Sequence, residues 1–106
     1  MIIKNLTPHD VTIITDNGMI TIPVSGVVAR VDMQAELHTE INGIKVFKTK
    51  LLNTYDLPDP CENTVFIVSR MVAESCKNRD DLLIPNDSVR NEKGQIIGCK
   101  SLAKIN

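Results

Sequence analysis

Residues 65–76 read VFIVSRMVAESC, and they set a serine and an arginine where an apolar run gives way to a sequence able to coil. A serine there accepts from the unpaired backbone N–H groups of a first helical turn. The same N–H groups, the positive helix end and the Arg70 guanidinium also make a place for a phosphate or carboxylate. No glycine-rich loop precedes Ser69, and the phosphate-cradling motifs rest on such glycines. A capped helix beside a solvated arginine is therefore the plainer reading of Ser69 and Arg70.

Arg30 interrupts the apolar run VVARV. An arginine in a mid-sheet strand must reach water or find an anion, because a buried unpaired charge is costly. Arg30 is thus a candidate for ligand or subunit contact. Arg90 and Asn91, with Asn86, Asp87 and Lys100, offer donors and acceptors suited to a nucleotide-like ligand, and equally suit an exposed turn. His9-Asp10 has the residue types of an acid–base pair, but strand neighbours point to opposite faces, so turn chemistry after Pro8 fits better. His38 falls on the polar side of a strand.

The elements that must position these residues are mostly strands. Residues 2–6 and 11–15 are β-rich runs separated by Thr7-Pro8-His9-Asp10, which predicts a kinked or bulged opening strand. Asp16-Asn17-Gly18 predicts a tight hairpin between VTIIT and MITIPV. Val27, Ala29, Val31, Met33, Ala35 and Leu37 alternate with a mostly polar set. That period predicts one long strand with a buried face and a polar face. Asn42-Gly43 returns the chain through IKVFKTKLL, an edge candidate by its lysines.

Leu57-Pro58-Asp59-Pro60 is a loop and a hinge candidate between the two halves. VFIV has the composition of a central strand. A helix is expected from Arg70 to about Asn78, then a strand at Leu82-Leu83-Ile84 stopped by Pro85. A last hairpin turning at Glu92-Lys93-Gly94 is expected to end near Cys99 to Leu102. These elements add up to a single α+β domain over residues 1–106, an antiparallel-rich β-sheet with β-hairpins and one main α-helix.

A chain of 106 residues with 42% hydrophobic side chains holds one core, although a domain of this size gains from oligomerisation. The formal charge is -1 and the basic residues form no dense run, which speaks against a nucleic-acid polymer as partner. Aromatics are only 3%, too few for a base-stacking platform. No apolar run approaches a membrane span and MIIKNLTPHD lacks a signal-peptide core, so no membrane partner and a cytoplasmic location are expected. Cys61, Cys76 and Cys99 form no CxxC pair and read as reduced thiols, two of them packing the core. No metal, no cofactor and none of the common enzyme signatures is expected.

Four blocks, NLTPHDVTI, IPVSGVVARV, TVFIVSRMVA and RDDLLIPNDSVRNEKGQIIGCKSL, resemble a family of small proteins encoded by phages and prophages of bacteria. The resemblance implies a setting in which such proteins act against host defence or on host regulators. One such group, the sponges that counter Thoeris and CBASS immunity, forms oligomers that sequester cyclic nucleotide or cyclic ADP-ribose signals without degrading them. The chain is similar to that group in size and β-rich character, and not in any motif. The expected function is therefore non-enzymatic capture of a small anionic nucleotide-derived ligand by a homo-oligomer. Arg30, Ser69, Arg70, Arg90 and Asn91 are the candidate contacts. The alternative is a protein-interaction module that binds a host or virion protein through an edge strand or hairpin.

Overall fold

The computed structural model describes residues 1–106 and consists of a curled sheet with a long hairpin standing out from it. The strands are β1 (Ile2–Asn5), β2 (Val11–Thr15), β3 (Gly18–Ile22), β4 (Arg30–Ile41), β5 (Ile44–Tyr55), β6 (Thr64–Ile67), β7 (Leu82–Arg90) and β8 (Ile96–Ala103), with helix α1 (Arg70–Ser75) between β6 and β7. Six strands form the body sheet in the order β1-β6-β7-β8-β2-β3, and β4 and β5 pair only with each other.

The body sheet is mixed. β1–β6, β6–β7 and β2–β8 are parallel, while β7–β8 and β2–β3 are antiparallel. The expected antiparallel-rich α+β domain holds in part: the chain is mostly strand with antiparallel hairpins, but the non-local pairings are parallel and the one helix has six residues. Composition and turn signals report hairpins well, because a hairpin is closed by adjacent residues. Parallel partners lie far apart in the chain and leave no such local mark.

β1 and β2 are not one kinked strand. They lie apart in the sheet order, and the Thr7–Asp10 segment carries the chain between them. The sheet then curls until its ends meet: Ser25 N–H donates to the Asn5 carbonyl at 3.0 Å, and Ala29 N–H to that of Leu6 at 3.0 Å. Asn5 is 1% exposed and its side chain locks this junction. Its Nδ2 donates to the carbonyls of His9 (2.8 Å) and Ile22 (3.1 Å), while its Oδ1 accepts from Thr7 N (2.9 Å) and Thr7 Oγ1 (2.6 Å).

β6 fulfils its apolar composition, with Phe66, Ile67 and Val68 fully buried between β1 and β7. Ser69 caps α1 and accepts from Val72 N at 3.3 Å. The helix ends at Ser75, three residues earlier than expected, with Cys76 as its C-cap. Val72 and Ala73 close the main core together with Leu6, Ala29, Phe66, Val68, Leu82 and Ile84. Pro85 does not stop β7, which runs on to Arg90. β6 leaves the sheet for α1 just after Ile67↔Leu83, so no neighbour on that side needs the N–H that proline lacks.

Cys99 is buried, Cys76 half-buried and Cys61 exposed, and all three are free thiols. No helix is long and apolar enough to cross a membrane.

The β4–β5 arm departs most from expectation. The long strand begins at Arg30 rather than Val27, and its apolar side is not buried beyond Val31. Met33 is 55% exposed, Leu37 60% and Phe47 55%. The body gives this face nothing to pack on. The Cα radius of gyration, 16.3 Å, exceeds the roughly 13 Å of a compact domain this long, as an extended arm requires.

Candidate functional site

The arm is folded about Asn42 and Gly43, whose φ angles of 53° and 79° are those of a type I′ turn. Ile41 pairs with Ile44 beside the turn, and at the other end Arg30 pairs with Tyr55. Two register shifts lie between, one at Leu37/Thr39 and one at Val31/Met33. The first adds a residue to β4 and the second adds one to β5, so they cancel at the root.

That root is fixed to the body. Val31 and Thr54, the next cross-strand pair, turn inward: Val31 packs on the main core, and Thr54 Oγ1 lies 2.8 Å from Ser75 Oγ on α1. Ser75 Oγ also donates to the Val72 carbonyl at 2.7 Å. Side chains alternate along a strand, so Arg30 and Tyr55 face the opposite way, toward solvent. Tyr55 is 46% exposed.

Arg30 differs from the other three arginines in having no internal partner. Arg70 Nε meets Glu74 Oε1 at 3.2 Å, and Arg90 Nη1 donates to the Gly94 carbonyl at 2.6 Å. Arg79 holds Asp81 with two contacts of 2.8 Å and donates to the Pro58 carbonyl at 2.9 Å. None of the four ion pairs in the molecule includes Arg30. An exposed guanidinium beside a half-exposed phenol can take an anion on its N–H fork while a planar ring rests on the aromatic face.

The other expected contacts stand elsewhere with local duties. Ser69 is the helix cap, and Arg70 pairs along the exposed face of α1. Asn91 shapes the β7–β8 turn: its Oδ1 accepts from Lys93 N (2.9 Å) and Gln95 N (3.0 Å), and its Nδ2 donates to Gln95 Oε1 (3.0 Å). Arg90 stands seven residues beyond Leu83, the partner of Ile67 at the β6 end. At strand rise that is about 23 Å from the level where α1 begins. Within one chain, Arg90 and Asn91 therefore do not join Ser69 and Arg70. Nor is Arg30 mid-sheet; it opens the arm.

Arg79-Asp80-Asp81 joins α1 to β7. The hydrogen bonds from Arg79 hold the Asp81 carboxyl below the usual carboxylate range against the opposing effect of burial, and those same bonds raise the guanidinium. Through Pro58 this pair clasps the loop expected to be a hinge. A shallow cleft of about 460 Å³ is lined by His9, Asp10, Thr12, Ser88, Ile97 and Cys99 among others. Asp10 Oδ1 there accepts from Val24 N at 3.0 Å, and the Cys99 thiol points to the Thr12 carbonyl. No group of three or more His, Cys, Asp or Glu side chains is arranged to hold a metal ion.

No family model, curated protein or solved structure matches this chain.

Tyr55 was not among the residues that sequence reasoning selected. A signal for it exists, since folding the sequence about Asn42-Gly43 sets Arg30 opposite the chain's single tyrosine.

Proposed function

We propose that the protein is a non-enzymatic binding protein that captures a small anionic, nucleotide-derived ligand as a homo-oligomer. One observation carries the reading: the single unpartnered arginine stands directly across from the single tyrosine on the solvent-facing side of the arm's root. Arg30 supplies the charge-assisted contact to a phosphate, and Tyr55 supplies a face for the base. Base–aromatic stacking contributes about 1–3 kcal/mol per base, which adds to the phosphate contact. The setting in phage-encoded interference with host signalling rests on the sequence resemblance alone.

Native mass spectrometry of the purified protein, mixed with cyclic dinucleotides, cyclic trinucleotides and ADP-ribose derivatives, tests the reading. The expected result is a complex carrying the ligand at unchanged mass. A ligand recovered with altered mass, or none retained from the panel, contradicts it.

A second reading, a protein-interaction module, is favoured by the arm, whose two outer strand edges have no backbone partner. A stoichiometric complex with one host or virion protein, free of small molecule, would select it.

A further inference from the structure

The chain holds two Asn-Gly pairs, Asn17-Gly18 and Asn42-Gly43, and each lies exposed at a hairpin turn. A glycine after asparagine leaves its backbone nitrogen free to approach the side-chain amide, because no Cβ stands in the way. Exposure is alike at the two pairs, so what distinguishes them is how each turn is held.

Gly18 opens β3 and stands directly across from Thr15. The Thr15 hydroxyl spans this turn: it accepts from Asn17 N at 3.3 Å and donates to the Gly18 carbonyl at 2.9 Å. Behind the turn, β2 is held on its other edge by β8. Gly43 instead lies inside its turn, and its N–H donates to no group in the chain. The arm that carries it pairs only with itself, and isolated two-stranded ribbons are marginal in water. The tip of the arm therefore opens at a smaller free energy than a turn anchored in the body sheet.

We propose that Asn42 is a site of spontaneous deamidation, and that the fold directs the reaction there and away from Asn17. When the tip opens, hydroxide takes the Gly43 N–H proton and the nitrogen bonds to Asn42 Cγ. The Cγ–Nδ2 bond breaks, and ammonia leaves with a proton from water. Water then opens the cyclic imide on either side. Breaking the new Cγ–N bond gives aspartate, whereas breaking the original peptide bond gives isoaspartate, whose main chain runs through the former side chain. Either product adds a negative charge at the tip. Isoaspartate also lengthens the two-residue turn that sets Ile41 opposite Ile44, so pairing is lost from the tip inward. The root keeps its own anchors, Val31 on the core and the Thr54–Ser75 contact. Water is the only co-reactant and no ligand takes part, so this inference and the proposed function can fail separately.

The test is to age the folded protein at mildly alkaline pH, then digest it with trypsin beside a fresh sample and map the peptides by mass. Cleavage after Arg30 and Lys45 isolates Asn42 in residues 31–45, and cleavage after Lys4 and Arg30 isolates Asn17 in residues 5–30. Each site is thus read separately, by the mass gain of an amide becoming an acid. The same protein aged in urea gives the ratio of rates that local sequence alone sets. The rate at Asn42 relative to Asn17 is expected to be at least about tenfold higher in the folded protein than in urea. Hydrogen exchange in the aged folded protein is expected to quicken beside Ile41 and Ile44 and to stay unchanged in α1. An equal ratio in the two states, no conversion of Asn42 in the folded protein, or converted protein whose tip exchanges as before, overturns the inference.

Discussion

Replacing Asn5 tests whether one side chain closes the sheet. Asn5→Ala removes two hydrogen bonds to the His9 and Ile22 carbonyls and two accepted from Thr7, at a position 1% exposed. Three of the four partners are backbone groups beside a sheet junction that water reaches poorly. At about 1 kcal/mol net per hydrogen bond, and more where a buried group is left unmade, the loss is about 3–4 kcal/mol. That is a large share of the roughly 5–15 kcal/mol that holds such a domain together. Asn5→Asp keeps the shape but turns the donor into a second acceptor facing two carbonyls. It should cost at least as much at neutral pH, with partial recovery in acid, where a protonated carboxyl can again donate. Urea unfolding gives the free energies, and hydrogen exchange at Ser25 N–H, which bonds to the Asn5 carbonyl, reports the junction itself. A loss below about 1 kcal/mol with Ser25 protection unchanged would refute the latch.

Further outcomes follow from other particular contacts. Asp81 ionises below the usual carboxylate range, so the unfolded chain binds the extra proton. Its contribution is complete above the ordinary aspartate range and lost as pH falls through the folded pKa. Asp81→Asn should lower stability at neutral pH by about 1–3 kcal/mol and flatten the acid limb of the profile, read by urea titrations from neutral to acid pH. Gly98→Ala would set a methyl 2.8 Å from the Thr12 carbonyl oxygen, where β8 meets β2. A loss of about 1–3 kcal/mol in thermal or urea unfolding is expected, and a neutral result would mean that the strands approach less closely. Arg30→Ala should leave the melting temperature unchanged, because its guanidinium bonds to nothing in the chain, while weakening ligand retention at least tenfold in native mass spectra.

What could be read from the sequence was what neighbouring residues decide. Asn42-Gly43 fixed the arm's turn, Ser69 capped the helix, and VFIV became the buried central strand. Asp16-Asn17-Gly18 made the expected hairpin, with the positive φ at Gly18 as the chain enters β3. The parallel pairings escaped because β1 and β6 are almost sixty residues apart and their partnership leaves no local pattern. Alternation in β4 named its apolar face correctly and its burial wrongly, since a periodicity shows that a face wants cover and not what supplies it. Arg30 was picked for its apolar neighbours, whereas the structure distinguishes it by its missing partner and by Tyr55. Asn5 and Arg79 are not marked by the sequence as structural anchors, because their value depends on carbonyls brought close only by the fold.

The chain has one tyrosine and no tryptophan, so its intrinsic fluorescence comes from Tyr55 alone, beside Arg30. Titrating wild type and Arg30→Ala with the cyclic nucleotide or ADP-ribose derivative that native mass spectrometry retains tests the central claim most directly. The account predicts a saturable change of Tyr55 emission in the wild type, with the curve for Arg30→Ala moved at least tenfold to higher concentration. Retention of ligand with no change at Tyr55, or equal curves for the two proteins, would contradict it.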